Sequence, residues 1–94
     1  MYDWDEAKNE VLKRERDISF EEVVFWIDNN ALLGVEDHPN QKRYSGQKIY
    51  IVKIEGYVCL VPYIEQEGIT FLKTIIPSRK ATRKYLKGGL DETN

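Results

Sequence analysis

Apolar positions recur along the first third of the chain at helical spacing. Trp4, Ala7, Val11 and Leu12 lie roughly 3.6 residues apart behind the acidic opening Asp3-Trp4-Asp5-Glu6, which predicts a helix to about Arg16. Ser19-Phe20-Glu21-Glu22 has the form of a capping box, with Ser19 as N-cap, Glu22 three residues on, and Ile18 placed to staple to Val23. The helix it starts, Phe20 to about Asn29, is apolar on most of its circumference through Phe20, Val23, Val24, Trp26 and Ile27, so it must be largely buried.

Beyond Asn29-Asn30 the period changes from helical to alternating. Ala31 to Val35 reads as a short strand, and Glu36 to Ser45 as a polar loop. Gln47–Ile54, Tyr57–Ile64 and Ile69–Ile76 read as three strands, joined by a two-residue Glu55-Gly56 hairpin turn and a looser turn over Glu65 to Gly68. Short turns force antiparallel neighbours. Pro62 cannot donate to a ladder, so a bulge or an unpaired edge position is expected there. Ser78 then N-caps a basic helix from Arg79 to about Leu86, and residues 88–94 read as a disordered tail.

These elements predict a single α+β domain over residues 1–87. Two N-terminal helices pack on one face of a three- to four-stranded antiparallel sheet, and a short C-terminal basic helix follows. The other sheet face is left partly open. Alternation alone does not decide which strand residues face solvent.

Ninety-four residues suffice for one small core and not for two. Every apolar run is interrupted by charge, so no membrane span is expected, and the acidic N-terminus has neither the basic nor the apolar region of a signal peptide. The expectation is a soluble cytoplasmic protein. A lone Cys59 precludes an internal disulfide, and with one histidine there is no zinc-ligand cluster; no metal or cofactor is expected. Cys59 sits in an apolar strand, where a buried inert thiol is the default, and His38 in a turn-like loop, as a surface histidine.

Charge is divided along the chain: the net charge is −2, yet Met1 to Asp28 carries nine acids against four bases. The run Lys73 to Lys87 holds six positive and no negative charges. Arg79, Arg83 and Lys87 share one helix face at i, i+4 spacing, with Lys80 and Lys84 beside them. Arginines and lysines fixed at a strand-to-helix junction can hold phosphate oxygens and stabilise charge developing in phosphoryl transfer. A solvated terminal helix with Tyr85 and Leu86 packed down explains the same residues.

The ordered motifs Trp4-Asp5-Glu6-Ala7-Lys8-Asn9, Ser19-Phe20-Glu21-Glu22 and Ser78-Arg79-Lys80-Ala81-Thr82-Arg83 resemble the BrnT toxin family of bacterial type II toxin-antitoxin systems, over about residues 2 to 86. The resemblance implies a RelE-like fold and a metal-independent ribonuclease that inhibits growth. It also implies neutralisation by a ribbon-helix-helix antitoxin, and operator DNA binding by the complex only. Arg79 and Arg83 match the family pattern cleanly. Where the family reads Lys-His-Gly before the second motif, this chain has Glu15-Arg16-Asp17, so Arg16 stands at the histidine position. Lys53 is the nearest match to an arginine before the central hairpin, and Thr74 falls where another arginine stands in the last strand.

RNA cleavage through the 2′-hydroxyl requires proton removal, stabilisation of a pentacoordinate phosphorane and protonation of the leaving 5′-oxygen. Arginine serves the second and cannot act as base. The candidate catalytic set is therefore Arg79, Arg83, Lys53, Glu15 and Arg16, with Glu15 as base and Lys53 or Lys73 as proton donor. For RNA contact the candidates are Lys73, Lys80, Lys84, Tyr50 and Tyr63, the tyrosines stacking on bases if exposed. Half-buried sheet tyrosines explain Tyr50 and Tyr63 equally, and solvated surface charge explains Glu15, Lys53 and Lys73. A degenerate relative that only binds its antitoxin or RNA remains the alternative to an active toxin.

Overall fold

The computed structural model describes the backbone of residues 1–93 and the side chains of residues 1–86. Its elements are β1 (Tyr2–Asp3), α1 (Glu6–Arg16), α2 (Phe20–Asp28), β2 (Leu32–Asp37), β3 (Lys48–Ile54), β4 (Tyr57–Gln66), β5 (Ile69–Leu72), β6 (Ile76–Pro77) and α3 (Arg79–Thr93). The fold is α+β, as the sequence pattern predicts. The backbone of α3 runs on to Thr93, so residues 88–93 continue the helix that the sequence pattern ends near Leu86, in place of the irregular tail expected there; Asn94 lies outside the described residues.

Each helix starts where its cap dictates. Asp5 accepts from the backbone N–H groups of Ala7 and Lys8 at 2.8 and 3.2 Å, Ser19 from Glu22 at 3.1 Å, and Ser78 from Ala81 at 3.0 Å. α1 ends at Asp17 in the left-handed conformation (φ 54°, ψ 41°), with its N–H turned back to the Leu12 and Lys13 carbonyls.

The sheet is larger than the sequence pattern suggests and is mixed. Its order is β1-β5-β4-β3-β2, with β6 alongside β4 where β5 has ended. β1 pairs β5 in parallel, Tyr2 opposite Thr70, and all other pairs are antiparallel. A two-residue strand carries no periodicity of its own, so β1 is invisible before its neighbour is known. Both hairpin turns are tight. Glu55-Gly56 and Glu67-Gly68 have positive φ at both central residues, the geometry that matches strand twist, so the second turn is as short as the first.

Pro62 causes no bulge in the β3–β4 register, where it sits opposite Ile49. Its carbonyl accepts from Lys73 N–H at 2.8 Å on the β5 side, and there the ladder stops: β5 ends at Leu72 and pairing resumes only at Ile76. The missing proline donor thus lies at the gap that divides the single predicted last strand into β5 and β6. Thr74 falls in that connection and not in a strand.

α1 and α2 cover one sheet face, closing a core of Leu12, Phe20, Val23, Val52, Cys59, Val61, Leu72 and Ile75. The other face receives α3, whose Ala81, Tyr85 and Leu86 pack on Ile51, Val58 and Leu60. Thr82 ties the two together: its hydroxyl donates to the Ser78 carbonyl at 2.7 Å and accepts the Val58 N–H at 2.8 Å. The hydroxyl does for Val58 what a carbonyl of a longer β6 would have done. Among the described residues no helix is long and apolar enough to cross a membrane.

Candidate nucleic-acid interface

α3 presents its cations in two rows because its apolar stripe is seated on the sheet. Lys80 and Lys84, one turn apart, border a groove of about 220 Å³ floored by Ile51, Leu60 and Ala81. Glu36 of β2 forms its opposite wall and accepts a hydrogen bond from the Tyr85 hydroxyl at 2.8 Å. That bond to a carboxylate raises the Tyr85 pKa, ahead of desolvation. Lys84 Nζ lies 3.9 Å from the same Glu36 oxygen, with both side chains at least half exposed. Such a pair contributes less than about 1 kcal/mol, so an incoming anion can displace it.

Arg79 and Arg83 occupy the second row, exposed to solvent and outside the groove. Among the described residues neither guanidinium has a hydrogen-bond or ion-pair partner, which leaves both forks available to phosphate. The helix therefore offers four cations over two turns, Lys80 and Lys84 toward the groove and Arg79 and Arg83 away from it.

The remaining candidates are dispersed. Lys53 is exposed at the end of β3, opposite Val58, and lines a separate hollow with Asn29, Leu33 and Glu55. Lys73 follows β5 and lies 5.6 Å over the ring of Phe71, on the α3 side of the sheet. Glu15 is exposed on α1. Arg16 Nη1 donates to the Ile75 carbonyl at 2.8 Å, satisfying an acceptor in the very gap where the ladder is broken. Its position favours a strut between α1 and the β5–β6 connection.

The expectation of an exposed tyrosine pair is corrected. Tyr50 and Tyr63 stack at 3.9 Å with an 11° interplanar angle, on the face covered by α1 and α2, and Tyr63 is only 5% exposed. The sheet separates both rings from Lys80 and Lys84. Alternation places them there: Tyr50 shares a face with Val52 and Ile54, Tyr63 with Val61 and Cys59. Burial raises the pKa of both, as it does for Tyr2 beside them.

Glu36 and Tyr85 are the groove residues that sequence reasoning did not single out for chemistry. Tyr85 is legible as a packing residue one turn beyond Ala81; its pairing with Glu36 needs α3 seated on β3 and β4, beside β2. Cys59 is buried as expected, and burial, with Glu22 nearby, pushes its thiol up to about 11. His38 is half-buried in its loop, against Tyr44. Among the described residues no group of three or more His, Cys, Asp or Glu side chains could hold a metal ion.

Compared with known proteins, the chain matches no family model and no curated relative. The functional reading therefore rests on the residues and their placement.

Proposed function

We propose that this chain is the toxin of a bacterial type II toxin-antitoxin system, a metal-independent cytoplasmic ribonuclease neutralised by a ribbon-helix-helix antitoxin. The observation that carries this reading is the seating of α3: a helix with four outward cations lies on the sheet face opposite α1 and α2. Its order of elements and its motifs resemble the BrnT family. Arg79 and Arg83 hold the scissile phosphate and stabilise the phosphorane, and Lys80 and Lys84 take neighbouring phosphates along the groove. Lys53 or Lys73, on the same side of the sheet, is the proton donor to the leaving 5′-oxygen, and a solvent water takes the 2′-hydroxyl proton, because the expected base Glu15 lies on α1, which covers the opposite face. The antitoxin covers the uncovered part of this face, and only the complex binds operator DNA.

A second reading is favoured by two observations. Arg16, at the position of the family histidine, is engaged with the Ile75 carbonyl, and the tyrosine nearest the cations has its proton affinity raised. A degenerate relative that binds antitoxin or RNA without turnover fits that arrangement.

Induction of the chain in cells, beside Arg79→Ala at matched protein level, decides between them. Arrest by the wild type alone, with new RNA 5′ ends, is expected for the ribonuclease; equal growth of the two would leave the binding module.

A further inference from the structure

We infer that the β2–β3 loop, residues 38–47, is a second single-strand RNA contact, in which Tyr44 is a base-stacking platform and Lys42 and Arg43 bind flanking phosphates. It rests on the reading of the α3 face as an RNA-binding surface and extends that surface to a new element.

From His38 to Ile54 the chain has four bases, Lys42, Arg43, Lys48 and Lys53, and no acid. The loop is built by its own hydrogen bonds. Asn40 receives Tyr44 N–H on its carbonyl at 2.9 Å and Arg43 N–H on its side chain at 3.1 Å. Gln41 donates to the His38 carbonyl at 2.8 Å and accepts Gly46 N–H at 3.2 Å, while His38 N–H reaches the Gln47 carbonyl at 3.0 Å. A tethered backbone fixes the rings that it carries. The His38 and Tyr44 centroids are 4.3 Å apart at 34°, and the Arg43 guanidinium lies 5.5 Å from the Tyr44 centroid.

Lys42 and Arg43 are exposed, and among the described residues neither is paired with an acid; Lys48 stands across from Asp37 in the β2–β3 register. The loop also continues the α3 surface. It leaves β2 at Asp37, the residue after Glu36, and Glu36 already meets Tyr85 and Lys84. An ordered, tilted pair of aromatic rings beside two exposed cationic side chains that have no acidic partner suits unpaired nucleobases on a phosphate backbone, whereas a duplex offers no base face to stack on.

The test is fluorescence anisotropy with a labelled, unstructured twelve-nucleotide oligouridine, titrated at several potassium chloride concentrations. The Lys42→Gln/Arg43→Gln double variant is expected to bind several-fold more weakly and to reduce the salt slope by about 1.4, since each single-strand phosphate contact contributes about 0.7. Tyr44→Leu is expected to lose at least about fivefold with the slope unchanged, and Tyr44→Phe to bind as the wild type. Wild-type binding by the loop variants, alongside weakened binding by Lys80→Gln/Lys84→Gln, overturns the loop assignment and leaves the proposed function intact. No RNA binding by the wild type overturns both. A Tyr44→Leu protein that binds normally, or a Tyr44→Phe protein that does not, also overturns the stacking platform, and equal affinity for duplex DNA overturns the single-strand assignment.

Discussion

The side-chain oxygen of Asn9 accepts the backbone N–H of Phe20 at 2.8 Å, although eleven residues and a helix break separate them. Asn9 is fully buried, and its amide donates to Glu21 at 2.7 Å. One side chain on α1 thus satisfies an orphan amide at the start of α2 and holds its first acidic residue. Trp4, stacked on Phe20 at 5.6 Å, closes the same junction from outside. The motifs Trp4 to Asn9 and Ser19 to Glu22 are therefore two halves of one helix-helix clamp.

Replacing Asn9 by leucine, which has the same branched heavy-atom pattern but larger, apolar branches, leaves Phe20 N–H buried without an acceptor. A loss of about 1–3 kcal/mol is expected, read as a lower urea midpoint. Asn9→Asp keeps the acceptor but faces Glu21 with a like charge, so its deficit should shrink as pH falls. An Asn9→Leu midpoint equal to that of the wild type would show the clamp to be energetically idle.

Two adjacent glutamates give opposite pH dependence. Glu21 has its pKa lowered, first by the Asn9 hydrogen bond, so its contribution is present above the unfolded carboxylate value and is lost as pH falls through the folded one. Glu22 has its pKa raised, first by desolvation and then by a hydrogen bond with Glu55; its contribution is present at acid pH and is lost as pH rises through the folded value. Glu22→Gln should therefore raise the melting temperature at pH 7 and do little at pH 4. A uniform shift at both pH values would count against a raised carboxyl.

Cys59 should resist iodoacetamide in the native protein at pH 8 and react fully in denaturant, because the thiol is buried and its pKa stands near 11. A thiol raised in the folded state stabilises the fold at neutral pH, and that contribution fades as pH climbs toward the same value. Rapid native labelling would mean that β4 opens readily.

Thr82→Val removes the hydroxyl shared by Val58 and Ser78 while keeping the branched shape. Destabilisation of about 1–3 kcal/mol is expected, with hydrogen exchange at Val58 accelerated more than at Val61. Unchanged exchange at Val58 would separate α3 from the edge it is drawn against.

Asp17 holds a left-handed conformation that glycine adopts without strain. Asp17→Gly should raise stability by about 0.5–1 kcal/mol, seen as a higher denaturation midpoint.

Local rules made much of this fold legible. Asp5, Ser19 and Ser78 determine where the helices begin, since a cap acts within three residues of itself; Glu55-Gly56 and the alternation of Lys48–Ile54 fix the central hairpin. The sequence also determined the cationic run of α3 and the exclusion of disulfide frameworks, because both are matters of count and spacing. Only the tertiary structure decided which sheet face each strand residue occupies. Tyr50 and Tyr63 sit on a strand with apolar residues on both faces, so burial depends on which helix arrives where. The same holds for Arg16, whose carbonyl partner exists because Pro62 breaks a ladder 13 residues before Ile75. Glu36 and Tyr85, 49 positions apart, meet because α3 is seated on β3 and β4 with the Tyr85 side chain reaching the neighbouring β2. Contacts of that range depend on where whole elements pack, and spacing along one chain segment does not encode them.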